Sequence, residues 1–579
     1  MMHDRTFPSR DALRRLPVGL ADVTVFLGVM ALLYLLARVG AGTVVRFAPP
    51  HITPGVSLDP RNLPYYAARS TLRMFVALGA SLVFTLVYGY AAAHSRKAER
   101  VLVPLLDILQ SVPVLGFLSV TVTGFLALFP GSLLGLEAAS VFAIFTAQAW
   151  NMTFSFYHSL RTLPRELDEA AALYRLPRWQ RFTRLEVPAS MIGLVWNAMM
   201  SFGGGWFFVA ASEAISVLNQ TYTLPGIGSY VATAVAAQNL GAMAPALLTM
   251  AVVIVTIDQL FWRPIVAWAD KFRLEQSAAA EAPRSWLLTL LRTARLPRLI
   301  GHALTPLGDA VNGVLSRLTP VRPRGAAAPG QRRLGDLLYN GVLLLITAAL
   351  LARGIEFVLR EVGLAEVGHV ALLGLVTLAR VLVLLVFSTL VWTPVGVAIG
   401  FSPRLARLAQ PVVQLLASFP ANFLFPFATI LFIRGGISLN WGGILLMSLG
   451  AQWYILFNTI AGAQSIPTEL REMAASMGLR GWKLWRHLII PGIFPAWVTG
   501  GITAAGGAWN ASIVAEVVSW GSTTLTATGL GAYVAQATGS GDWPRIVLGV
   551  GMMSVYVVGL NRLVWRRLYA LAETKYRLG

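Results

Sequence analysis

Runs of apolar residues, each long enough to cross a bilayer, alternate along this chain with shorter polar connections. A transmembrane helix needs roughly 20 mainly apolar residues. Strands of a membrane barrel alternate in polarity over ~10 residues, and these runs do not. The pattern predicts an all-α integral membrane protein with about twelve transmembrane helices, near residues 18–38, 70–93, 101–128, 137–160, 190–218 and 242–268, then 337–358, 371–400, 411–433, 443–462, 493–518 and 545–563.

The second half of the chain repeats the first at a fixed offset of 303 residues. Tryptophans, glutamates, glycines, a proline and a tyrosine all return at this spacing: Trp150 as Trp453, Trp179 as Trp482, Trp206 as Trp509, Trp262 as Trp565, Pro164 as Pro467, Glu166 as Glu469, Glu169 as Glu472, Glu213 as Glu516, Gly226 as Gly529, Gly228 as Gly531 and Tyr230 as Tyr533. We interpret the chain as two tandem six-helix units. Such a duplication predicts two equivalent contact sites for a partner.

Four segments follow from this pattern. We expect an N-terminal helix with an outer loop, a first membrane domain, a cytoplasmic linker and a second membrane domain, at 1–66, 67–269, 270–335 and 336–579. The proline-rich outer loop, about 40–66, is either a contact surface or a plain spacer. The first apolar run follows a basic leader, and we expect an uncleaved helix, with a cleaved signal peptide as the alternative.

Composition supports a membrane protein. Of the 579 residues, 56% are hydrophobic and 12% are charged, against roughly 25% charged in soluble domains. The net charge of +20 does not indicate a nucleic-acid partner, because the basic residues lie in short connections between apolar runs; the expected partner is membrane lipid. The lack of cysteine excludes disulfides, thiolate metal sites and cysteine nucleophiles.

Lysine and arginine are distributed unequally between the connections. Alternate connections are rich in both, whereas the loops 129–136, 219–241 and 519–544 contain neither. Basic loops stay on the cytoplasmic side of a membrane. We therefore expect a multi-pass protein of a bacterial-type inner (plasma) membrane with both termini in the cytoplasm.

The linker carries an amphipathic pattern. After an alanine-rich patch at 278–282, apolar and basic residues recur at helical spacing from Trp286 to Arg295. The segment 323–328 then has the composition of a flexible link. We expect the amphipathic helix to lie on the inner leaflet, and we disfavour a regulatory domain because nothing in the linker could build a core.

Two polar loops stand at equivalent places in the two halves. Each starts at a proline, Pro164 or Pro467, and continues through acidic residues and alanines to a second proline, Pro188 or Pro491. Proline at a first helical turn presets the backbone, and glutamate there complements the positive end of the helix dipole. Each loop should therefore contain a short cytoplasmic helix.

These loops resemble the EAA motif of permease subunits from ATP-binding-cassette importers: Glu-Ala-Ala, three residues, Gly, nine residues, then hydrophobic-x-hydrophobic-Pro. The first loop departs from it at Arg175, where glycine is expected, and the second at Met473, in place of the first alanine. Because of Arg175, we expect the local geometry of the first copy to differ and the two copies to be functionally unequal. The second half also resembles the nitrate, sulfonate and taurine branch, at Gly500-Gly501, Ala508-Trp509-Asn510, Val514-Ala515-Glu516-Val517 and Thr528-Gly529-Leu530-Gly531.

The resemblance implies the partners. In that family the motif helix docks into a groove of a separate ATPase subunit and transmits its closure to the membrane helices. It implies two cytoplasmic ATPase subunits and an extracytoplasmic solute-binding protein. The ATPase-coupling residues would be Pro164, Glu166, Glu169, Ala170 and Ala171 in the first loop and Pro467, Glu469, Glu472, Ala474 and Gly478 in the second.

Motifs for chemistry are missing from the sequence. It contains no Gly-x-x-x-x-Gly-Lys-Ser/Thr stretch and no Gly-Lys pair, so it cannot cradle a nucleotide phosphate in that way. It also has no metal-ligand spacing and no nucleophile–base constellation. We therefore expect no catalytic residue, no metal and no cofactor on this chain, with ATP and Mg²⁺ bound by the partner ATPase.

Glu213 and Glu516 are the most distinctive polar residues within the apolar runs. An ionisable group within a span is costly and usually faces the bundle interior or water. Each glutamate lies two turns after a tryptophan, on one helix face. They are either a gate in the pathway, together with Trp206, Trp509 and Asn510, or structural carboxylates that hold a neighbouring helix. Nearby, Gly203-Gly204-Gly205 and Gly506-Gly507 allow close helix contact or act as hinges, and Pro113 and Pro420 should break the third helix of each half.

Together these features predict a fused pair of importer permease domains that forms the complete pathway for a small polar or anionic solute. The solute class rests on the branch resemblance. The alternative is a secondary transporter driven by an ion gradient, since duplicated halves occur there too. Against this alternative, the two repeats have the same orientation and are most alike in a cytoplasmic loop.

Overall fold

A computed structural model describes residues 20–43, 55–111, 114–217, 220–272, 285–319 and 329–576. The chain forms two compact units. The first contains 1–42, 162–196 and 256–324, and the second contains 43–161, 197–255 and 325–579.

Within the described residues, nine helices are long and apolar enough to span a membrane, which confirms the all-α membrane class. The structure differs from the twelve predicted spans in two ways. The third predicted span of each half is broken into two shorter helices, and the helix Leu134–Arg161 is long enough but less apolar. The nine are Ala21–Ala41, Pro60–His94, Arg178–Ser212, Leu240–Phe272, Tyr339–Glu361, Leu364–Phe401, Leu439–Ser465, Gly481–Ala515 and Trp543–Ala572.

The first unit holds the N-terminal helix, the first polar loop and the two linker helices that end at Thr293 and Leu318. Its helices are Leu20–Ala41, Arg165–Leu173, Arg178–Arg181, the beginning of Val187–Ser212, Arg263–Ala269, Trp286–Thr293 and Leu296–Leu318. The predicted amphipathic linker helix is present as Trp286–Thr293, and Leu296–Leu318 is a second linker helix that was not predicted from the sequence. The alanine-rich patch 278–282 and the link 323–328 lie outside the described residues.

The second unit contains the remaining parts of both halves. From the first half it has helices Leu63–His94, Arg96–Ser111, Leu118–Leu128, Leu134–Arg161, Ile227–Ala236 and Leu240–Ile257 and strands Ala214–Val217 and Gln220–Thr223. From the second half it has helices Pro329–Glu361, Leu364–Phe401, Pro403–Ser418, Phe425–Gly435, Leu439–Ser465, Thr468–Ser476, Gly481–Leu484, Ile490–Ala515, Leu530–Ser540, Trp543–Leu560 and Arg566–Lys575 and strands Val517–Trp520 and Thr523–Thr526.

The sequence repeat is also a repeat of structure. The π-helical turns Phe182–Glu186 and Asp258–Trp262 return 303 residues later as Trp485–Ile489 and Asn561–Trp565. The third elements are broken as expected: a 3₁₀ turn Val114–Phe117 or Ala421–Phe423 separates two helices. Pro420 precedes the second of these turns, and Pro113 lies outside the described residues.

The fifth predicted spans end earlier than the sequence indicated. Their helices stop at Ser212 and Ala515, and each is followed by an antiparallel hairpin, in which Ala214 pairs with Thr223 and Val517 with Thr526. Glu213 and Glu516 therefore lie at the junction of helix and hairpin, one residue beyond the fifth helices and not inside them as expected from the sequence. The hairpins were not foreseen, since strands of four residues leave little alternation to detect.

Candidate functional site

The two polar loops each form a short helix that starts directly after the expected proline. Pro164 is the N-cap of the helix Arg165–Leu173, and Pro467 is the N-cap of Thr468–Ser476. We call these the first and second loop helices. Glu166 and Glu169 of the first loop helix are exposed, as are Glu469 and Glu472 of the second. Both helices thus present acidic side chains to solvent at the same positions.

Two alanines of the loops have a different role from the glutamates, while Ala170 is exposed. Ala171 is 5% exposed and Ala474 is 3% exposed, so both face the interior and anchor the helix. Large apolar side chains are exposed to solvent instead: Leu173 is 81% exposed and Tyr174 is 77% exposed. In the second loop Met473 and Met477 are exposed as well. Apolar and acidic side chains side by side on a short exposed helix suit a protein partner.

Arg175 reproduces the turn that Gly478 makes. Both residues have left-handed backbones, with φ of 50° and 67°. Leu176 N–H donates to the Ala171 carbonyl at 3.1 Å, and Leu479 N–H donates to the Ala474 carbonyl at 2.9 Å. The departure from glycine therefore leaves the turn intact, at the cost of placing a side chain where L-residues are strained.

Each loop is tethered by a different set of contacts. In the first, Arg181 forms ion pairs with Asp168 at 2.5 Å and Glu186 at 2.8 Å. In the second, Arg471 donates to the carbonyls of Ile466 and Ala463 and stacks on the Phe401 ring at 4.6 Å. The two copies share the helix and the turn but not the surrounding polar contacts.

Glu213 lies at the centre of a buried ion network. Arg73 Nη1 donates to its carboxylate at 2.6 Å, Ser70 Oγ donates at 2.5 Å and Gly228 N–H donates at 2.7 Å. Arg73 also donates to Glu137, at 2.5 and 2.8 Å, and Arg69 pairs with Glu137. Two arginines and two glutamates balance in charge, as buried charges require.

Glu516 repeats this arrangement in the second half. Arg380 Nη1 and Thr377 Oγ1 both donate to it at 2.8 Å, and Ala532 N–H donates at 3.0 Å. Asn440 takes the place of Glu137: its Oδ1 accepts from Arg380 Nη2 at 2.8 Å. With one arginine and one glutamate, this network is also balanced.

The repeated glycines make room for these carboxylates. A Cβ on Gly226 would lie 2.2 Å from the Glu213 carboxylate, and one on Gly529 would lie 2.3 Å from that of Glu516. Each glutamate thus fills the N-terminal end of the following short helix, Ile227–Ala236 or Leu530–Ser540, where its charge is favourable. This geometry supports the interpretation of Glu213 and Glu516 as structural carboxylates.

The sequence alone did not identify the arginines of either network. Arg73 and Arg380 are 307 residues apart, as are Ser70 and Thr377, so a search at 303 does not align them. The difference of four residues is about one helical turn. The available signal was an arginine three residues after a hydroxyl residue within an apolar run of each half.

Two repeated tyrosines fasten the same short helices. Tyr230 OH donates to the Leu58 carbonyl at 2.9 Å, and Tyr533 OH donates to Glu366 at 3.0 Å. Burial raises the pKa of both hydroxyls, and the Glu366 carboxylate raises the pKa of Tyr533 further. Both tyrosines therefore remain protonated donors at neutral pH.

The broken third elements make reciprocal contacts between the halves. Val114 N–H donates to Asn510 Oδ1 at 3.1 Å, and Asn422 Nδ2 donates to the Phe207 carbonyl at 3.3 Å. Phe207 and Asn510 are equivalent in the 303-residue repeat. Each half therefore holds the broken segment of the other at the same point.

A cavity of about 200 Å³ lies between these contacts. It is lined by both halves, including Trp509 and Asn510 of the predicted pathway, while Trp206 is buried against Phe202. Among the described residues, none that line the cavity is Asp, Glu, Lys or Arg. The polar lining is uncharged: Gln110, Thr146, Asn151, Tyr454, Thr503, Asn510 and Asn561.

The glycines beside the cavity differ between the halves. A Cβ on Gly203 would lie 2.7 Å from Ser418 Oγ, whereas one on Gly506 would meet nothing within 4 Å. Close contact between helices therefore explains why residue 203 is a glycine. At Gly506, by contrast, there is open space around the Cβ position. The absence of a side chain at Gly506 keeps that part of the cavity wide.

A duplicated helical membrane unit with an uncharged polar cavity between its halves defines a membrane transport component. The sequence matches the family model for the "Binding-protein-dependent transport system inner membrane component" twice, over residues 85–261 and 392–573. The chain belongs to this family. It is a fused double permease of the ATP-binding-cassette importer type and a multi-pass protein of the inner membrane.

Curated relatives match parts of the chain. A Methanocaldococcus jannaschii protein named as an ABC transporter permease is 27% identical over 202 residues, 35% of this chain and 70% of the relative. The nitrate import permease NrtB of Synechococcus elongatus is 26% identical over 33% of this chain and 66% of its own length. The taurine transport system permease TauC of Escherichia coli is 29% identical over 25% of this chain and 50% of its own length.

Proposed function

We propose that this chain alone forms the translocation pathway of an ATP-driven importer and couples to two separate ATPase subunits through its two loop helices. The observation that carries this proposal is the pair of exposed loop helices. Each begins after a proline, shows two glutamates to solvent and ends in a left-handed turn, 303 residues apart. Two equivalent docking helices are what a pair of ATPase subunits requires.

The proposed pathway runs through the cavity between the halves. Reciprocal contacts at Asn510 and Asn422 fix its walls, and both broken elements border it. When the ATPases bind ATP and close, the two loop helices move together with them and the halves rock from inward-open to outward-open. The networks around Glu213 and Glu516 keep the short helices Ile227–Ala236 and Leu530–Ser540 each attached to its own half during this motion.

The proposed solute is small and polar or anionic. Relatives carry the names of nitrate, aliphatic sulfonate, taurine and bicarbonate permeases. An uncharged lining that offers hydroxyl, amide and indole groups can hydrogen-bond such a solute without trapping it by charge. The carboxylates of Glu213 and Glu516 are paired with arginines and do not line this cavity.

ATP binding and solute delivery are assigned to partner proteins. ATP and Mg²⁺ bind to the ATPase subunits in the cytoplasm, on the side of the loop helices and both termini. A solute-binding protein delivers the solute on the opposite side.

Reconstitution in vesicles tests this function. The chain is purified with its co-expressed ATPase and incorporated into liposomes, with the solute-binding protein and a candidate anion, nitrate or taurine, on the outer side. We expect uptake that needs ATP on the ATPase side and survives an ionophore. Uptake driven by an ion gradient without ATP would instead show a secondary transporter.

A further inference from the structure

We propose that the linker helix Leu296–Leu318 is a brace that positions the first loop, and that the two ATPase contacts are therefore unequal. This inference rests on the proposed function. It arises from polar contacts at both ends of the linker helix, all within the first compact unit.

The C-terminal end of the brace caps another helix. The helix that begins at Arg178 follows Pro177, which makes no side-chain cap, and the first N–H groups of a helix have no partner within it. Thr319 supplies both partners. Its carbonyl accepts from Arg178 N–H at 3.2 Å, and its hydroxyl accepts from Trp179 N–H at 3.2 Å.

Side chains extend the same contact along the brace. The indole Nε1 of Trp179 donates to Asn312 Oδ1 at 2.8 Å, and Gln180 Nε2 donates to Ser316 Oγ at 3.4 Å. Asn312, Ser316 and Thr319 are separated by four and three residues and so share one face of the linker helix. That face contacts the segment that directly follows the first loop helix.

The N-terminal end of the brace is fixed to the first membrane helix. Asp22, in the first turn of Leu20–Ala41, accepts from Leu296 N–H at 3.0 Å and also from Arg295 N–H. A carboxylate at a helix N-terminus satisfies its unpaired donors and complements its dipole. The 23-residue linker helix is about 35 Å long, and it joins the N-terminal helix to the first loop as a strut.

The second loop is built differently at the matching position. The helix Gly481–Leu484 has Arg480 as its N-cap, which makes no side-chain capping bond. Trp482, the repeat of Trp179, is 70% exposed. Neither short helix is capped by its own N-cap residue, but the first is capped by Thr319 of the brace, whereas Trp482 of the second is exposed.

A test isolates one loop at a time in the full-length chain. Glu472→Arg leaves the first loop as the only docking site for the co-expressed ATPase, and Glu169→Arg leaves the second. Asn312→Leu with Thr319→Val removes two acceptors of the brace. In the Glu472→Arg chain we expect this pair to weaken ATPase binding about tenfold, the effect of two lost hydrogen bonds. In the Glu169→Arg chain we expect no change.

Two further measurements keep the test decisive. Asn312→Asp keeps an acceptor oxygen for the Trp179 indole, and we expect this variant to bind the ATPase as well as the chain without it. Normal binding here would show that a substitution at Asn312 does not by itself prevent folding. Amide exchange at Trp179, whose N–H bonds to the Thr319 hydroxyl, should become faster in the Asn312→Leu, Thr319→Val chain. Equal ATPase binding in the Glu472→Arg chain with and without the brace changes would overturn the inference. An unchanged chain that retains no ATPase would instead show that the proposed function is wrong.

Discussion

Arg175 and Gly478 lie 303 residues apart and make the same left-handed turn after their loop helices. Arginine pays for this backbone with steric strain of roughly 1–2 kcal/mol, which glycine avoids. The turn at Arg175 therefore persists because the surrounding loop imposes it. The first loop is the more strained of the two copies.

Replacing Arg175 by glycine should relieve that strain. We expect Arg175→Gly to slow amide exchange at Leu176, whose N–H is bonded to the Ala171 carbonyl. The local gain should be about 1 kcal/mol. The matched change, Gly478→Ala, should speed exchange at Leu479 by a similar factor. Unchanged exchange at Leu176 and at Leu479 in the two variants would show that the turn stores no strain.

Removing one glutamate should destabilise its ion network. Glu516→Gln leaves Arg380 as an unpaired buried charge, which typically costs about 3–5 kcal/mol. Thermal unfolding of the purified chain should show a clearly lowered midpoint. Adding Asn440→Asp replaces the amide whose Oδ1 accepts from Arg380 at 2.8 Å by a carboxylate. This second change should restore part of the lost stability. An unchanged midpoint in Glu516→Gln would contradict the network as a source of stability.

The glycine in the first turn of the helix Leu530–Ser540 should not tolerate a methyl group. A Cβ on Gly531 would lie 2.5 Å from the Ser512 carbonyl, a backbone atom that cannot move aside cheaply. We expect Gly531→Ala to lower stability by about 1–3 kcal/mol. Gly539, in the same helix, has nothing within 4 Å of its Cβ position, so Gly539→Ala should be neutral or stabilising. Equal unfolding midpoints for the two variants would refute the close approach.

Filling the cavity should block transport without disturbing the first and second loop helices. Gly506 lines the cavity, and a Cβ there would meet nothing within 4 Å. Gly506→Leu should therefore fold normally, retain the ATPase and lose most solute uptake. Gly551→Leu is the control, because Gly551 is exposed on another helix and also has nothing within 4 Å. Normal uptake by Gly506→Leu would place the pathway elsewhere.

The sequence predicted the features that depend on local pattern. Apolar runs and the 303-residue offset were enough for the all-helical class and the two-fold repeat, and the loop helices appeared where Pro164 and Pro467 place them. These features need only short-range spacing. The assignment of the pathway residues stays a prediction.

The features that depend on distant contacts were not predicted. Arg73 and Arg380 lie in apolar runs, and their partners follow 140 and 136 residues later. The four-residue shift between the halves hid their equivalence. The role of Thr319 as a cap for the helix at Arg178 likewise depends on a contact across 140 residues, which no local pattern reveals.

The most direct test of the account is to count the ATPase subunits on the purified chain. The tagged protein is isolated in mild detergent from its native host, and the bound proteins are identified and quantified. We expect two ATP-binding-cassette ATPase subunits per chain, and we expect both to be lost when Glu169 and Glu472 are changed to arginine together. A chain that purifies without an ATPase and still transports solute on an ion gradient would contradict the account.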